Sequence, residues 1–200
     1  MLPVLLLAAT LACDDGDVPA APWRVTQVVD GVTALAPAAG GAAWGAAEGM
    51  VPAPIGAVLR HLVDFDRMPE MIPWLATTRV LERAADEALV YFRYDLPWPV
   101  ADRDYTARYR WTLLPTGRGR VEIVDADGAG PPVDGAVRVT DLRACFSLET
   151  RADDRTRVRY RVHMELGGRL PRRMKDEAVK KLALRSVLGL RRYFSPPLVR

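Results

Sequence analysis

Hydrophobic positions along the chain change period twice, and each change marks a boundary. A strand-like run from Trp23 to Leu35 is broken at Asp30-Gly31. A turn at Pro37-Ala-Ala-Gly40-Gly41 separates it from a second run around Ala42 to Glu48. Two such runs around a Gly-containing turn predict a hairpin. Pro52-Ala-Pro54 then opens a helix, because Pro is tolerated in a first helical turn. Ile55, Val58, Leu59 and Leu62 fall at i, i+3, i+4 and i+7, an amphipathic stripe. Asp64-Phe65-Asp66 ends it, and Phe65 to Trp74 predicts a second short helix stopped by Pro69 and Pro73.

Beyond this point the period becomes two. Strands are expected around Val80 and Glu82, over Leu89 to Tyr94, Arg103 to Leu113, Arg120 to Val124, Ala136 to Leu148 and Arg157 to Leu166. The last alternates most cleanly, with Val158, Tyr160, Val162, Met164 and Leu166 on one face and Arg157, Arg159, Arg161, His163 and Glu165 on the other. That is an antiparallel sheet with one wet face. By this register His163 is a surface residue, as is His61, which lies off its helix's apolar stripe. Gly167-Gly168 ends the strands, and Pro171 opens a helix to about Phe194. At 1.5 Å per residue it is about 36 Å long. Its inner face is read as Met174, Ala178 and Leu182 (with Val179), then Arg185 or Ser186, then Gly189 or Leu190. The element order gives an α+β architecture with helices on one face.

Composition narrows the classes. The chain has 200 residues, half of them hydrophobic, enough for one domain with a proper core. No apolar run approaches the length of about 18 residues that a spanning helix needs. Two Cys and two His exclude a disulfide scaffold and make a metal site an unpromising reading, so no metal and no cofactor is expected. No Ser-His-Asp, Cys-His, Walker or dinucleotide pattern appears. Charge is uneven. Residues 151–200 carry 15 basic and 5 acidic side chains, net +10. Such a segment suits nucleic acid, an anionic membrane or a solvated face. It lacks interleaved exposed aromatics and a known motif, so nucleic acid is not the expected partner.

The most distinctive stretch is Tyr91-Phe-Arg-Tyr-Asp-Leu-Pro97-Trp98-Pro99-Val100-Ala-Asp102-Arg103-Asp104-Tyr105. Pro97 and Pro99 bias the preceding residues to extended geometry and mark a bent crossover between strands. Trp98 is expected to anchor it by burial. Arg103 between Asp102 and Asp104 reads as a structural ion pair fixing the loop, with an Arg reaching a ligand head group as the alternative. The stretch resembles the Pro-Trp-Pro-Val-x-(Asp/Asn)-Arg-Asp-(Phe/Tyr) segment of START domains, the lipid-transfer domains related to the steroidogenic regulatory protein. Further matches follow in order: Trp23 with Asp30-Gly31-Val32, Ala53 to Asp64, Ala136-Val137-Arg138-Val139, and Gly167-Gly168-Arg-Leu-Pro171. The resemblance implies a helix-grip fold, a curved antiparallel sheet wrapped around the long C-terminal helix with an internal hydrophobic tunnel. It places Val90, Phe92, Tyr94, Tyr105, Ala107, Tyr109 and Trp111 on the tunnel wall, with Met174, Ala178 and Leu182 from the helix.

The implied function is non-catalytic binding or transfer of one hydrophobic ligand or lipid by a monomer, with no catalytic residues. An enzyme on the same fold, such as a polyketide aromatase/cyclase using Tyr94, Tyr109, Arg93 or Asp95, is the alternative. The basic C-terminal helix is expected to touch anionic membranes transiently. Residues 1–22 read as a signal or lipoprotein segment and tether, 23–195 as the binding domain, and 196–200 as a tail. The apolar run before Cys13 resembles a lipobox, making Cys13 a candidate for lipidation. The expected location is then the cell envelope, anchored or periplasmic, with the cytoplasm as the alternative. If the segment is exported, Cys145 is left unpaired or Cys13 is lipid-modified, and nothing in the sequence presses for a Cys13–Cys145 disulfide.

Overall fold

The computed structural model describes residues 22–38, 44–72, 74–131 and 135–195. The leader, Cys13 and the tail therefore lie outside the described residues. Ten strands form one sheet: β1 (Trp23–Val29), β2 (Val32–Pro37), β3 (Trp44–Val51), β4 (Leu75–Arg83), β5 (Glu87–Tyr94), β6 (Asp102–Leu114), β7 (Arg118–Asp125), β8 (Ala136–Arg138), β9 (Thr140–Arg151) and β10 (Arg155–Glu165). Their spatial order is β1-β2-β3-β10-β9-β7-β6-β5-β4, with β8 paired in parallel to the start of β6. Every other pairing is antiparallel. The helices are α1 (Ile55–Leu62), α2 (Met68–Met71) and α3 (Arg172–Phe194).

The sheet curves around α3, the helix-grip arrangement. Register shifts at Val25/Gln27, Leu75/Thr77, Val80/Glu82 and His163/Glu165 supply local bends, since an extra residue in one strand increases twist and curvature. The core lies between the concave face and the helices. Val32, Val51, Val90, Ala107, Val121, Val158 and Val162 are fully enclosed there. α1 buries Val58, Leu59 and Leu62, the stripe that its spacing defines.

Three local readings are corrected. The predicted helix from Phe65 to Trp74 is a single 3₁₀ turn, Phe65–Arg67, followed by the one-turn α2. Pro69 lacks the N–H for a helix interior, which keeps the segment short. The expected strand from Ala136 to Leu148 is two strands on different partners: β8 lies against β6, and β9 against β7 and β10. The break falls at Val139, whose N–H donates to the Asp104 carbonyl at 2.9 Å, and just inside β9 Asp141 holds φ of 50°, a left-handed conformation that Asp tolerates better than most residues. His163 is not on the surface. It is 1% exposed, stacks on Trp44 at 5.2 Å between ring centres, and its Nε2 lies 3.0 Å from an Asp141 carboxylate oxygen.

Candidate functional site: a cavity between the sheet and α3

α3 does not cover the concave face evenly. On one flank its backbone lies against β3 at Gly45, where an added Cβ would sit 2.7 Å from the Val179 carbonyl oxygen. On the other flank it stands off the sheet over β5, β6, β7, β9 and β10, and a cavity of about 860 Å³ remains. Large side chains hold the space open: Phe92, Tyr105, Tyr109, Phe146 and Tyr160 rise from the strands beneath. Several stack in pairs, Phe92 on Tyr105 at 4.8 Å and Phe146 on Tyr160 at 4.0 Å. Stacked rings keep their shape, so the wall does not collapse inward.

The structure brings together six of the ten expected tunnel residues. Phe92, Tyr94, Tyr105, Tyr109, Ala178 and Leu182 line the cavity. Val90 and Ala107 share the correct face, being register partners on β5 and β6, but both are fully enclosed beneath it. Trp111 is further along β6, where Phe65 packs 6.4 Å from it and 4.9 Å from Tyr109. The turn after α1 therefore plugs the space at that end. Met174 is corrected outright: it is 55% exposed and outside the cavity wall. The packed face of α3 is Val179, Ala183, Val187 and Leu190, rotated from the stripe that begins at Met174.

Other wall residues were not singled out in the sequence. Tyr160 and Met164 lie on the dry face of β10 and Leu166 directly follows it, so the same alternation that marked β6 pointed to them. Leu142 and Phe146 on β9 and Ile123 on β7 follow the same rule. His61, Trp74 and Tyr193 had no such signal, because chain crossing and not periodicity brings them to the cavity.

The Pro-Trp-Pro motif behaves differently from expectation. β5 ends at Tyr94 and β6 begins at Asp102, so the segment is a crossover. Trp98 does not anchor it, being 93% exposed. Nor does Arg103 pair with its neighbouring acids. Strand alternation turns Asp102 and Asp104 away from Arg103. Asp102 accepts from Arg93 at 3.2 Å and from the Leu96 N–H at 3.1 Å. Asp104, 1% exposed, takes the Arg138 guanidinium through both carboxylate oxygens at 2.6–3.1 Å. Arg138 also reaches Asp127 at 2.8 Å. The structural ion pairs exist, but through Arg93 and Arg138.

Arg103 instead faces the cavity and is 5% exposed. Its Nε donates to the Leu166 carbonyl at 2.8 Å, and its Nη1 to the carbonyls of Asp102 at 3.3 Å and of Ala101. Gly168, at φ of 64°, lies against it; a Cβ there would come within 3.1 Å of Nη2. The Gly-Gly pair thus serves both a left-handed turn and a close approach. Burial lowers the guanidinium pKa, with Asp102 partly opposing.

Four hydroxyls, those of Tyr94, Tyr105, Tyr109 and Tyr160, give the apolar space its polar handles. Burial pushes the Tyr105 and Tyr109 phenols well above their ordinary value, and neighbouring phenols add to the effect. Tyr94 and Tyr160 are raised by burial as well. At neutral pH all four stay protonated donors.

At the rim, Lys181 and Arg185 extend from α3, the latter 5.8 Å above the Trp74 ring. His61, expected on the surface, lies in the cavity wall with its ring 4.1 Å from Tyr193 and 5.5 Å from Phe194. Other α3 cations are engaged: Lys180 with Glu177 at 2.7 Å, Arg191 with the Met50 carbonyl at 2.7 Å, and Arg192 with Asp30 at 2.9 Å. Cys145 is disulfide-bonded and not unpaired. Among the described residues, no group of His, Cys, Asp or Glu is arranged to hold a metal.

Residues 51–190 match the model of the family described as polyketide cyclase/dehydrase and lipid transport. The chain belongs to that family. Among solved structures, a STAR-related lipid transfer protein from Xanthomonas axonopodis superposes with a TM-score of 0.78 at 21% identity, covering 86% of this chain and 98% of that one. The lipid transfer and protein localization domain of human StarD13 gives 0.75 at 17%, covering 88% and 90%. The aromatase/cyclase ZhuI from Streptomyces gives 0.51 at 14%, covering 73% and 87%. An uncharacterized Pseudomonas aeruginosa protein is 27% identical over 195 residues, 96% of each chain. The fold is the START-like helix-grip.

Proposed function

We propose that the protein is a non-catalytic carrier that holds one lipid or other hydrophobic molecule in the cavity beneath α3. The observation that carries this reading is the cavity itself: about 860 Å³, walled largely by aromatic and aliphatic side chains, with a few placed polar groups. That volume and lining suit a single apolar ligand. The lipid-transfer proteins among the structural neighbours favour the same reading.

The enzymatic alternative draws on the shared fold of an aromatase/cyclase. Such chemistry needs a group that takes a proton near the reacting carbon. The cavity phenols are held protonated and no Asp or Glu lines the cavity among the described residues, which leaves His61, packed 4.1 Å from Tyr193, as the wall group able to take a proton. These features suit holding a ligand better than transforming it.

Loading requires the cavity rim to meet a membrane, and Lys181 and Arg185 at that rim favour an anionic one. Transfer of pyrene-labelled sterol, phospholipid and fatty acid out of anionic and neutral vesicles tests both statements. At least one label should move into the protein, faster from anionic vesicles. Lowering salt should accelerate this, because the Debye length grows from about 8 Å at 0.15 M to about 30 Å at 0.01 M. No transfer of any label defeats the carrier reading. Transfer that ignores vesicle charge and salt removes the electrostatic contact alone.

A further inference from the structure

Every charged side chain in the cavity wall, among the described residues, is a cation: Arg67, Arg103, Lys181 and Arg185. Arg103 is the decisive one. It is 95% buried, since its exposure is 5%. Its partners are three backbone carbonyls, and no carboxylate among the described residues lies within ion-pair distance. Carbonyl dipoles orient a guanidinium without neutralising it. A buried charge lacking a counter-ion is costly, and the nearest acids are committed to Arg93 and Arg138. The cation is therefore placed where an anion from outside the chain completes it.

We propose that the ligand is an amphiphile with one anionic group, a carboxylate or a phosphate monoester, seated on Arg103, and with its apolar body along Phe92, Tyr105, Tyr109 and Phe146. The inference rests on the carrier reading and narrows its ligand class. Arg suits such a group: the Nη2 hydrogens donate to none of those carbonyls and remain for an oxygen of either anion, in a charge-assisted hydrogen bond. Lys181 and Arg185 at the rim add attraction for the approaching anion. The Tyr105 and Tyr109 hydroxyls remain free of charge and accept an oxygenated body as readily as a plain chain.

Matched twelve-carbon probes below their micelle concentrations test this: dodecanoate, dodecyl phosphate and 1-dodecanol, titrated into the full chain by calorimetry. At least one anion should bind at least about tenfold more tightly than the alcohol, the scale of a hydrogen bond to a charged group. The tighter of the two anions identifies the head group. Arg103→Gln should remove the preference and leave the alcohol's affinity nearly unchanged. A purely structural role for Arg103 would weaken acid and alcohol alike. Should Arg103→Gln not fold, the wild-type Arg103 Nε–H resonance serves: it should shift with the favoured anion and stay still with 1-dodecanol. Equal affinity for the alcohol and both anions overturns the head-group assignment while leaving the carrier intact. So does an anion preference that survives Arg103→Gln, or a resonance indifferent to the anion. Binding of none of the three probes, with no transfer of any lipid label, overturns the carrier and the head group together.

Discussion

α3 meets the sheet in two ways along its two flanks. On the β3 side, Val179, Ala183 and Val187 are at most 1% exposed and press onto a strand with Gly45 and Gly49 beneath them, while Val179 and Leu190 also edge the cavity. On the β5–β10 side, Ala178, Leu182, Arg185 and Gly189 look across open space at tyrosines and phenylalanines. Small residues under the helix let backbone approach backbone; large rings on the far strands hold the helix away. One flank stabilises, and the other makes room. The two functions are largely separable because i, i+4 spacing places most of the residues that serve them on different faces, Val179 and Leu190 lying at the boundary.

The comparison breaks most sharply at Gly45. Its missing Cβ would lie 2.7 Å from the Val179 oxygen and 2.9 Å from the Lys180 Cα, both helix backbone. Overpacking of this kind costs about 1–3 kcal/mol and sometimes more. Gly45→Ala is expected at the upper end, about 3 kcal/mol by urea unfolding. Gly49→Ala meets the Val32 and Val187 methyls at 2.9 Å and 3.3 Å, side-chain atoms and not backbone. It should cost about 1 kcal/mol. Equal costs would show that the helix is not seated on β3 through Gly45.

Leu182 probes the open flank. It is partly buried and faces the cavity. Leu182→Trp should occupy space that is empty of protein atoms, so stability should stay within about 1 kcal/mol of wild type. Affinity for the best vesicle-derived ligand should drop about tenfold or more. Loss of stability with unchanged affinity would mean that the flank is packed and the cavity is not the ligand's place.

The same contrast explains what could be read from the sequence. Sheet and helices were legible because their periods are local properties. β6 and β10 alternate, and α1 repeats at three and four. The Phe92, Tyr94, Tyr105 and Tyr109 wall followed from that alternation together with the family resemblance. The phase of α3 did not. Its sequence mixes small, large and charged residues, and the glycines that fix its packed face belong to β3, more than a hundred positions away. Hence Met174 was misplaced. His163 was misread for a similar reason: Trp44 on the neighbouring β3 covers it, and no alternation within β10 reports that. Arg103 shows a third limit. Adjacent opposite charges suggested a pair, whereas strand geometry sends residues 102 and 104 to one side and 103 to the other.

The smallest expected effect concerns the end of the open flank, where α1 and the C-terminus of α3 meet. His61 lies between Tyr193 and the cavity, and burial lowers its pKa below the ordinary 6.5; Asp64 opposes the shift and Arg67 adds to it. A histidine with a depressed folded pKa binds its proton more readily when the chain is unfolded. Stability then increases with pH over the range where only the unfolded state is protonated. The contribution is complete above about pH 6.5 and is lost progressively as pH falls below that value. Carboxylates such as Glu48 and Asp141 titrate lower: burial raises each, and their Arg and His hydrogen bonds outweigh it. Their share cancels when wild type and His61→Gln are compared. Urea midpoints at pH 7.5 and 5.5 should fall more for wild type than for His61→Gln. A ring half open to solvent keeps the difference small. A variant that loses as much stability as wild type over this range would show that His61 is hydrated, and that the open flank does not continue beneath Tyr193.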